Sequence, residues 1–168
     1  MSKPHWRPAR ASDLAAICAI AAHIHPALPE RAEVLAEKMW LCPDGCGVLD
    51  TDDDIVGYGL AHPWMRYRIP PLDGFLQELP DGADCLYIHD VAVLSEFRGG
   101  VVRAYVADIE KLARASGIAT LALVSVYGTR PLWERMGFRA VTADAELRAK
   151  LASYGDGATY MLRDLAAT

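Results

Sequence analysis

The chain has 168 residues, of which 52% are apolar and 23% are charged, a balance typical of one globular domain with a sizeable core. Its formal charge of −5 argues against a nucleic-acid partner, which would require a concentrated basic face. The longest apolar run, residues 14–22, is too short to span a membrane, and the first residues lack the apolar core of a signal peptide. We therefore expect a single domain over residues 1–168, a cytoplasmic location, and neither a nucleic-acid nor a membrane partner.

The first half of the sequence predicts a strand, two helices and a hairpin. The strand covers residues 6–9, and apolar side chains at helical spacing predict helices over residues 12–24 and 29–42. Two further strands, residues 47–51 and 55–61, are joined by three consecutive aspartates. The next stretch, residues 63–84, has four prolines and no regular period, so it is either a wall of a substrate site or a loop packed on the core.

The second half alternates strands with helices. Its predicted elements are a strand over residues 86–94, a helix from about 100 to 116, a buried strand over 120–125, a helix over 130–136, a strand over 138–142, a helix over 145–151 and a closing strand over 158–163. This order predicts an α/β (α+β) domain with a mixed sheet. Where the first of these strands meets the Arg98-Gly99-Gly100 loop and a helix start, free backbone N–H groups and the helix dipole favour a bound anion.

Nothing in the spacing of cysteines or histidines predicts a metal site. Cys42 and Cys46 have three residues between them and no second pair nearby, which favours reduced, partly buried thiols over a zinc site. The histidines at 23, 25 and 62 are scattered along the chain. We therefore expect no metal cofactor.

Several segments, taken in order, resemble the GCN5-related N-acetyltransferases. They are Tyr87-Ile-His-Asp-Val-Ala-Val, Phe97-Arg-Gly-Gly, the helix and buried strand that follow, and Leu132-Trp-Glu-Arg-Met-Gly-Phe138. The resemblance covers nearly the whole chain, and the closing residues 153–163 are similar to uncharacterised bacterial members. It implies a mixed sheet that splays apart where two parallel strands, residues 86–94 and 119–125, diverge. It also implies acetyl-CoA as cosubstrate and an amine of a small molecule, peptide or protein as acceptor, and a homodimer is compatible with it.

The resemblance also implies where coenzyme A binds. The backbone of Val91, Ala92 and Val93 would hold pantetheine, and the loop formed by Arg98, Gly99, Gly100, Val101, Val102 and Arg103 would wrap the pyrophosphate. Trp133 would pack beside the coenzyme or in the core. The loop departs from the family pattern, because a β-branched valine stands where a small residue is usual. Either the loop rearranges slightly and still binds the coenzyme, or the site is weakened.

Acetyl transfer to an amine needs a base for the ammonium proton and an acid for the leaving thiolate. His89 and Asp90 stand where related branches place histidine or carboxylate residues, so either is the base, Asp90 is an anchor for the ammonium, or the two form a structural hydrogen-bonded pair. Strand alternation predicts that they point to opposite faces unless a bulge intervenes, with His89 beside Val91 and Val93. Tyr127 is the candidate acid, with Ser125 a weaker option.

These observations predict an acetyl-CoA-dependent N-acetyltransferase that works by direct attack in a ternary complex, because no cysteine is placed to form an acyl-enzyme. The alternative is a catalytically degenerate member of the same fold that binds acyl-CoA or a partner without transferring the acyl group. The altered loop, and Trp133 at a position where relatives often have tyrosine, favour that alternative.

Overall fold

A seven-stranded mixed sheet forms the centre of the computed structural model, which describes residues 2–166. Its strands are β1 (His5–Pro8), β2 (Gly47–Asp50), β3 (Ile55–Trp64), β4 (Cys85–Val93), β5 (Thr120–Ser125), β6 (Arg139–Ala140) and β7 (Thr159–Asp164). They lie in the order β1-β2-β3-β4-β5-β7-β6, and every neighbouring pair is antiparallel except β4 and β5. The predicted fold class is therefore confirmed.

Five helices cover the two faces of the sheet. They are α1 (Leu14–Ile24), α2 (Ala32–Leu41), α3 (Val101–Ala115), α4 (Arg130–Glu134) and α5 (Ala145–Ala152). The apolar stripe of α3 packs on one face, whereas α1 and α2 pack on the other, because alternate side chains of the strands supply a separate buried cluster to each face. Within residues 2–166, no helix has the length and apolar character required to cross a membrane.

Three predicted boundaries are wrong by a few residues. α2 begins at Ala32 rather than at residue 29, because Arg31 is extended and its backbone N–H is bonded to Asp73 in the long loop. β3 continues through Pro63 to Trp64, where Pro63 pairs with Leu86. β6 is reduced to two residues. The remainder of the long loop, residues 65–84, contains no helix or strand.

β4 and β5 separate after a short parallel ladder, as expected. Their pairing covers only residues 86–88 of β4 and 121–123 of β5. Beyond Ile88, the backbone groups of β4 that face β5 have no strand partner. The sheet therefore contains a gap between these two strands, and one edge of the gap is an open strand edge.

A β-bulge in β4 lies at the start of this gap. Leu60 of β3 pairs with Asp90, whereas the next residue, Ala61, pairs with Ile88, so His89 is the extra residue. The bulge places His89 and Asp90 on the face covered by α1 and α2, while Val91 and Ile88 pack on the α3 face. This is the exception to strand alternation that the prediction from sequence allowed, and the prediction that His89 lies beside Val91 and Val93 is wrong.

Candidate active site

A cavity of about 660 Å³ passes through the gap between β4 and β5. Its lining comes from both faces of the sheet: Val102 and Leu132 lie on the α3 side, and His25 and His89 lie on the α1 side. Such a passage exists only because the two parallel strands stop pairing after Ile88. The cavity volume lies within the range of small-molecule and cofactor sites.

The α3 end of the cavity is built to attract an anion. Gly99 and Gly100 precede the helix with φ values of 138° and 81°, which L side chains rarely adopt, and a Cβ on either glycine would meet no atom within 4 Å. No side chain of the described residues caps the start of α3, and its first N–H groups lack an intrahelical partner. Three arginines at positions 98, 103 and 135 line this end and add positive charge.

The atypical valines of the loop pack against the core. Val101 and Val102 contact a buried cluster on the α3 face formed by Leu49, Val56 and Val93. The Trp6 indole donates to the Val101 carbonyl at 2.7 Å, and the Arg98 Nε donates to the Val93 carbonyl at 3.0 Å. These contacts hold the loop against the sheet.

Asp90 is fully engaged by two donors. One carboxylate oxygen lies 2.9 Å from His25 Nε2, and the other accepts the hydroxyl of Tyr58. Burial opposes protonation of His25, but the hydrogen bond and charge of Asp90 outweigh it, so the pKa of His25 is raised. Burial, followed by the charge of Asp90, raises the pKa of the Tyr58 phenol, which stays protonated. Asp90 therefore orients His25 and favours its protonated form, and it is not available as a free base.

His89 belongs to a second chain of polar groups. Its Nε2 lies 3.0 Å from Glu30 Oε1, and Glu30 Oε2 lies 3.9 Å from Lys38 Nζ. Lys38 is only 1% exposed, and its Nζ donates to the carbonyls of Val34 and Gly74 at 3.5 Å. Burial lowers the pKa of Lys38, and the charge of Glu30 partly offsets this effect. With its Nε2–H donating to Glu30, His89 keeps a buried Nδ1 that has no hydrogen-bond partner among residues 2–166.

Tyr127 lies at the end of β5, over His25. The two rings stack with centroids 5.5 Å apart and planes 13° apart, and Tyr127 lines the cavity while remaining 53% exposed. Partial burial and the charge of Asp90 raise the pKa of its phenol. Ser125, the weaker candidate acid, is buried and is not among the residues that line the cavity.

Trp133 is both a core residue and a wall of the cavity. It packs edge-on against Phe138 in the α3-side cluster, and its indole donates to Thr129 Oγ1 at 3.2 Å. Trp133 therefore lies in the core and also lines the cavity in which the coenzyme is expected.

A comparison with protein-family models decides the family. The model of the acetyltransferase (GNAT) family matches residues 14–138. The chain belongs to this family. A comparison with curated proteins gives no match.

Many solved structures share the fold of this acetyltransferase-family chain. Ard1 from Thermoplasma volcanium is 15% identical with a TM-score of 0.72, covering 98% of this chain and 99% of that one. GphF, a GNAT-like decarboxylase in complex with isobutyryl-CoA, is 20% identical with a TM-score of 0.77 over 96% and 100%. N-acetylglutamate synthase from Neisseria gonorrhoeae, complexed with coenzyme A and N-acetyl-glutamate, is 21% identical with a TM-score of 0.72 over 99% and 36%. At such identities the likeness establishes the fold alone.

Four residues of the candidate active site were not predicted from the sequence: His25, Glu30, Lys38 and Tyr58. Lys38 alone gave a signal, because it follows Val34 by four residues and Leu35 by three and so lies on the apolar face of its helix. The other three come together only through tertiary contacts. Among residues 2–166, no group of three histidine, cysteine or acidic side chains could hold a metal ion.

Proposed function

We propose that this chain is an acetyl-CoA-dependent N-acetyltransferase that passes the acetyl group directly to a primary amine. The observation that supports this most strongly is the passage through the sheet, which joins two chemically different ends. Arginines and the N-terminus of α3 line one end, and two histidine–carboxylate pairs line the other. A long anionic cosubstrate would meet positive charge at the first end, and the acceptor amine would meet imidazole groups at the second.

In this proposal the coenzyme enters from the α3 side. Its pyrophosphate accepts hydrogen bonds from the free N–H groups at the start of α3, where Gly99 and Gly100 leave the backbone uncovered. Because Val101 and Val102 pack on the core, their branched side chains need not lie between backbone and phosphate. The pantetheine arm then follows the edge of β4 at residues 91–93, which has no strand partner there and can bond its amides, although the Val93 carbonyl already accepts from Arg98 Nε.

Replacement of Gly100 by valine is expected to weaken acetyl-CoA binding by about ten- to a hundredfold, the cost of a lost hydrogen bond to a charged group. The added side chain would strain a backbone with φ of 81° and cover the amides at the start of α3. Gly117, at the other end of α3, provides a matched control, since its φ is 70° and its surroundings are equally open. Calorimetric titration of both valine variants with acetyl-CoA measures the effect. Equal losses in the two variants would contradict a phosphate role for the loop.

Transfer begins with removal of a proton from the acceptor's ammonium group by His89, whose Nε2–H is held by Glu30. The amine lone pair then attacks the thioester carbonyl carbon, forming a C–N bond. As the tetrahedral intermediate collapses, the C–S bond breaks and the thiolate takes a proton from the phenol of Tyr127. The new amide nitrogen loses its second proton, which restores the Tyr127 phenol, and His89 releases the first proton to water. Asp90 assists by holding His25 under the Tyr127 ring.

Direct attack is favoured over an acyl-enzyme because, among the residues described, none of the four cysteines lines the cavity. Burial also raises the pKa of the Cys46 and Cys85 thiols to about 12, which leaves them unreactive at neutral pH.

Two measurements test the proposal. Calorimetry should detect acetyl-CoA binding, and a panel of primary amines should cause amine-dependent release of the coenzyme thiol with an equal amount of amide. Binding without amine-dependent release would instead support the alternative, an acyl-CoA-binding protein that does not transfer the group. Absence of coenzyme binding at millimolar concentration would exclude both.

A further inference from the structure

We infer that the acceptor is a compact primary amine with an apolar body and no second charge. This inference rests on the proposed function and concerns the end of the cavity that lies on the α1 side of the sheet. It follows from three properties of that end: its apolar walls, the prior engagement of its carboxylates, and the lack of a cation free to bind an acid.

Apolar side chains from separate parts of the fold wall this end. Leu28 comes from the segment between α1 and α2, Leu72 from the long loop, Tyr87 from β4 and Tyr154 from the residues after α5. They are supplied by elements that the structure ties together, so the wall is largely preformed. An apolar body gains free energy by leaving water for such a wall, whereas a polar one loses its hydration.

The long loop that carries Leu72 is pinned on both sides. Asp73 accepts from the Arg31 N–H at 2.7 Å, and its carbonyl accepts from Arg31 Nη2 at 3.0 Å. On the other side, the Tyr154 hydroxyl donates to the Pro70 carbonyl at 3.0 Å. Because the coenzyme arm must share the cavity of about 660 Å³ with the acceptor, a compact acceptor fits better than a long chain.

The two carboxylates of the cavity are already committed. Glu30 and Asp90 are the only acidic residues among those that line it. Glu30 contacts His89 and Lys38, and Asp90 contacts His25 and Tyr58. A diamine or polyamine would bring a second ammonium group to a site that has no free carboxylate for it, and an unpaired charge in such a site is costly.

Among the described residues that line the acceptor end of the cavity, no cation is free to bind an acidic acceptor. The lysines and arginines that line the cavity are Arg98, Arg103 and Arg135, all at the coenzyme end, while Lys38 is buried behind Glu30. His25 is matched by Asp90, and burial lowers the pKa of His62, beside His89, to about 3 and keeps it neutral. The carboxylate of an amino acid would therefore remain unpaired.

Matched pairs of amines test the inference directly. Hexylamine and 1,6-diaminohexane differ by one ammonium group, and 2-phenylethylamine and phenylalanine differ by one carboxylate. We expect kcat/KM for hexylamine to exceed that for 1,6-diaminohexane at least about a hundredfold. The same ratio is expected for 2-phenylethylamine over phenylalanine, because the extra charge is left unpaired in the site. Equal or reversed preference in either pair would overturn the inference. It would also be overturned if a C-terminally amidated peptide that begins with leucine were acetylated faster than hexylamine and 2-phenylethylamine.

Two cavity-wall variants provide a gain of function. Leu72→Arg should raise activity toward phenylalanine, and Leu28→Glu should raise activity toward 1,6-diaminohexane, each relative to the matched monoamine. A failure of the inference differs from a failure of the proposed function: in the first case a charged amine is acetylated well, and in the second no amine is acetylated although acetyl-CoA binds. If a variant does not fold, the wild-type pairs still decide the matter.

Discussion

Replacement of His89 by glutamine is expected to lower kcat by about a hundred- to ten-thousandfold, the usual range for loss of a general base. Glutamine keeps a hydrogen-bonding group near Glu30 but cannot take up a proton at neutral pH. The wild-type kcat/KM should fall as the pH is lowered, because a base must be deprotonated to act, and the residual rate of the variant should lack that dependence. Initial rates across the pH range measure both effects.

His23→Gln is the matched control for this substitution. His23 is exposed on α1 and does not line the cavity, so its replacement should leave kcat and the pH dependence unchanged. Acetyl-CoA affinity should also persist in the His89 variant, since the coenzyme end is untouched. A His89 variant with wild-type kcat would rule out His89 as the base and leave His25 as the other imidazole that lines the cavity.

Replacement of Lys38 by methionine is expected to destabilise the protein by about 3–5 kcal/mol, the cost of leaving one partner of a buried ion pair unmatched. Lys38 is 1% exposed and its Nζ faces Glu30 at 3.9 Å, so the substitution leaves the Glu30 charge buried without its cation. Without that cation, Glu30 should also hold His89 less well. Denaturant unfolding measures the loss of stability, and kcat measures the effect on the base.

A double variant separates stability from catalysis. Lys38→Met combined with Glu30→Gln removes both charges, so much of the lost stability should return, while kcat should stay low because His89 still lacks its carboxylate. Lys111→Met, at an exposed lysine of α3, serves as the control and should change stability by no more than about 0.5 kcal/mol. Full recovery of kcat in the double variant would show that Lys38 and Glu30 have only a structural role.

The elements that could be predicted are those with a strong local signal. The helix with a long apolar stripe that became α3, and the fully apolar β5, lie within a residue or two of their predicted bounds. Glycines at 99 and 100 marked the turn that precedes α3, because their positive φ values are accessible mainly to glycine. Each of these patterns depends on neighbours in sequence, which a single chain reveals.

The arrangement of the candidate site on the α1 face could not be predicted in the same way. The bulge at His89 arises from how β3 and β4 pair, and strand alternation alone gives the wrong face for either His89 or Asp90. His25 and Glu30 lie on an irregular, proline-containing segment with no periodicity to place it. Their partners are 65 and 59 residues away in sequence, so only the folded chain brings the two histidine–carboxylate pairs together.

Direct acetyl transfer requires a complex that holds acetyl-CoA and the amine together in the cavity between β4 and β5. Initial rates of thiol release over a matrix of acetyl-CoA concentrations and concentrations of the best amine of the panel test it most directly. The rate should depend on both substrates, and double-reciprocal plots should intersect, as for a ternary complex. Parallel lines, which indicate an acyl-enzyme, or a rate independent of the amine would contradict it.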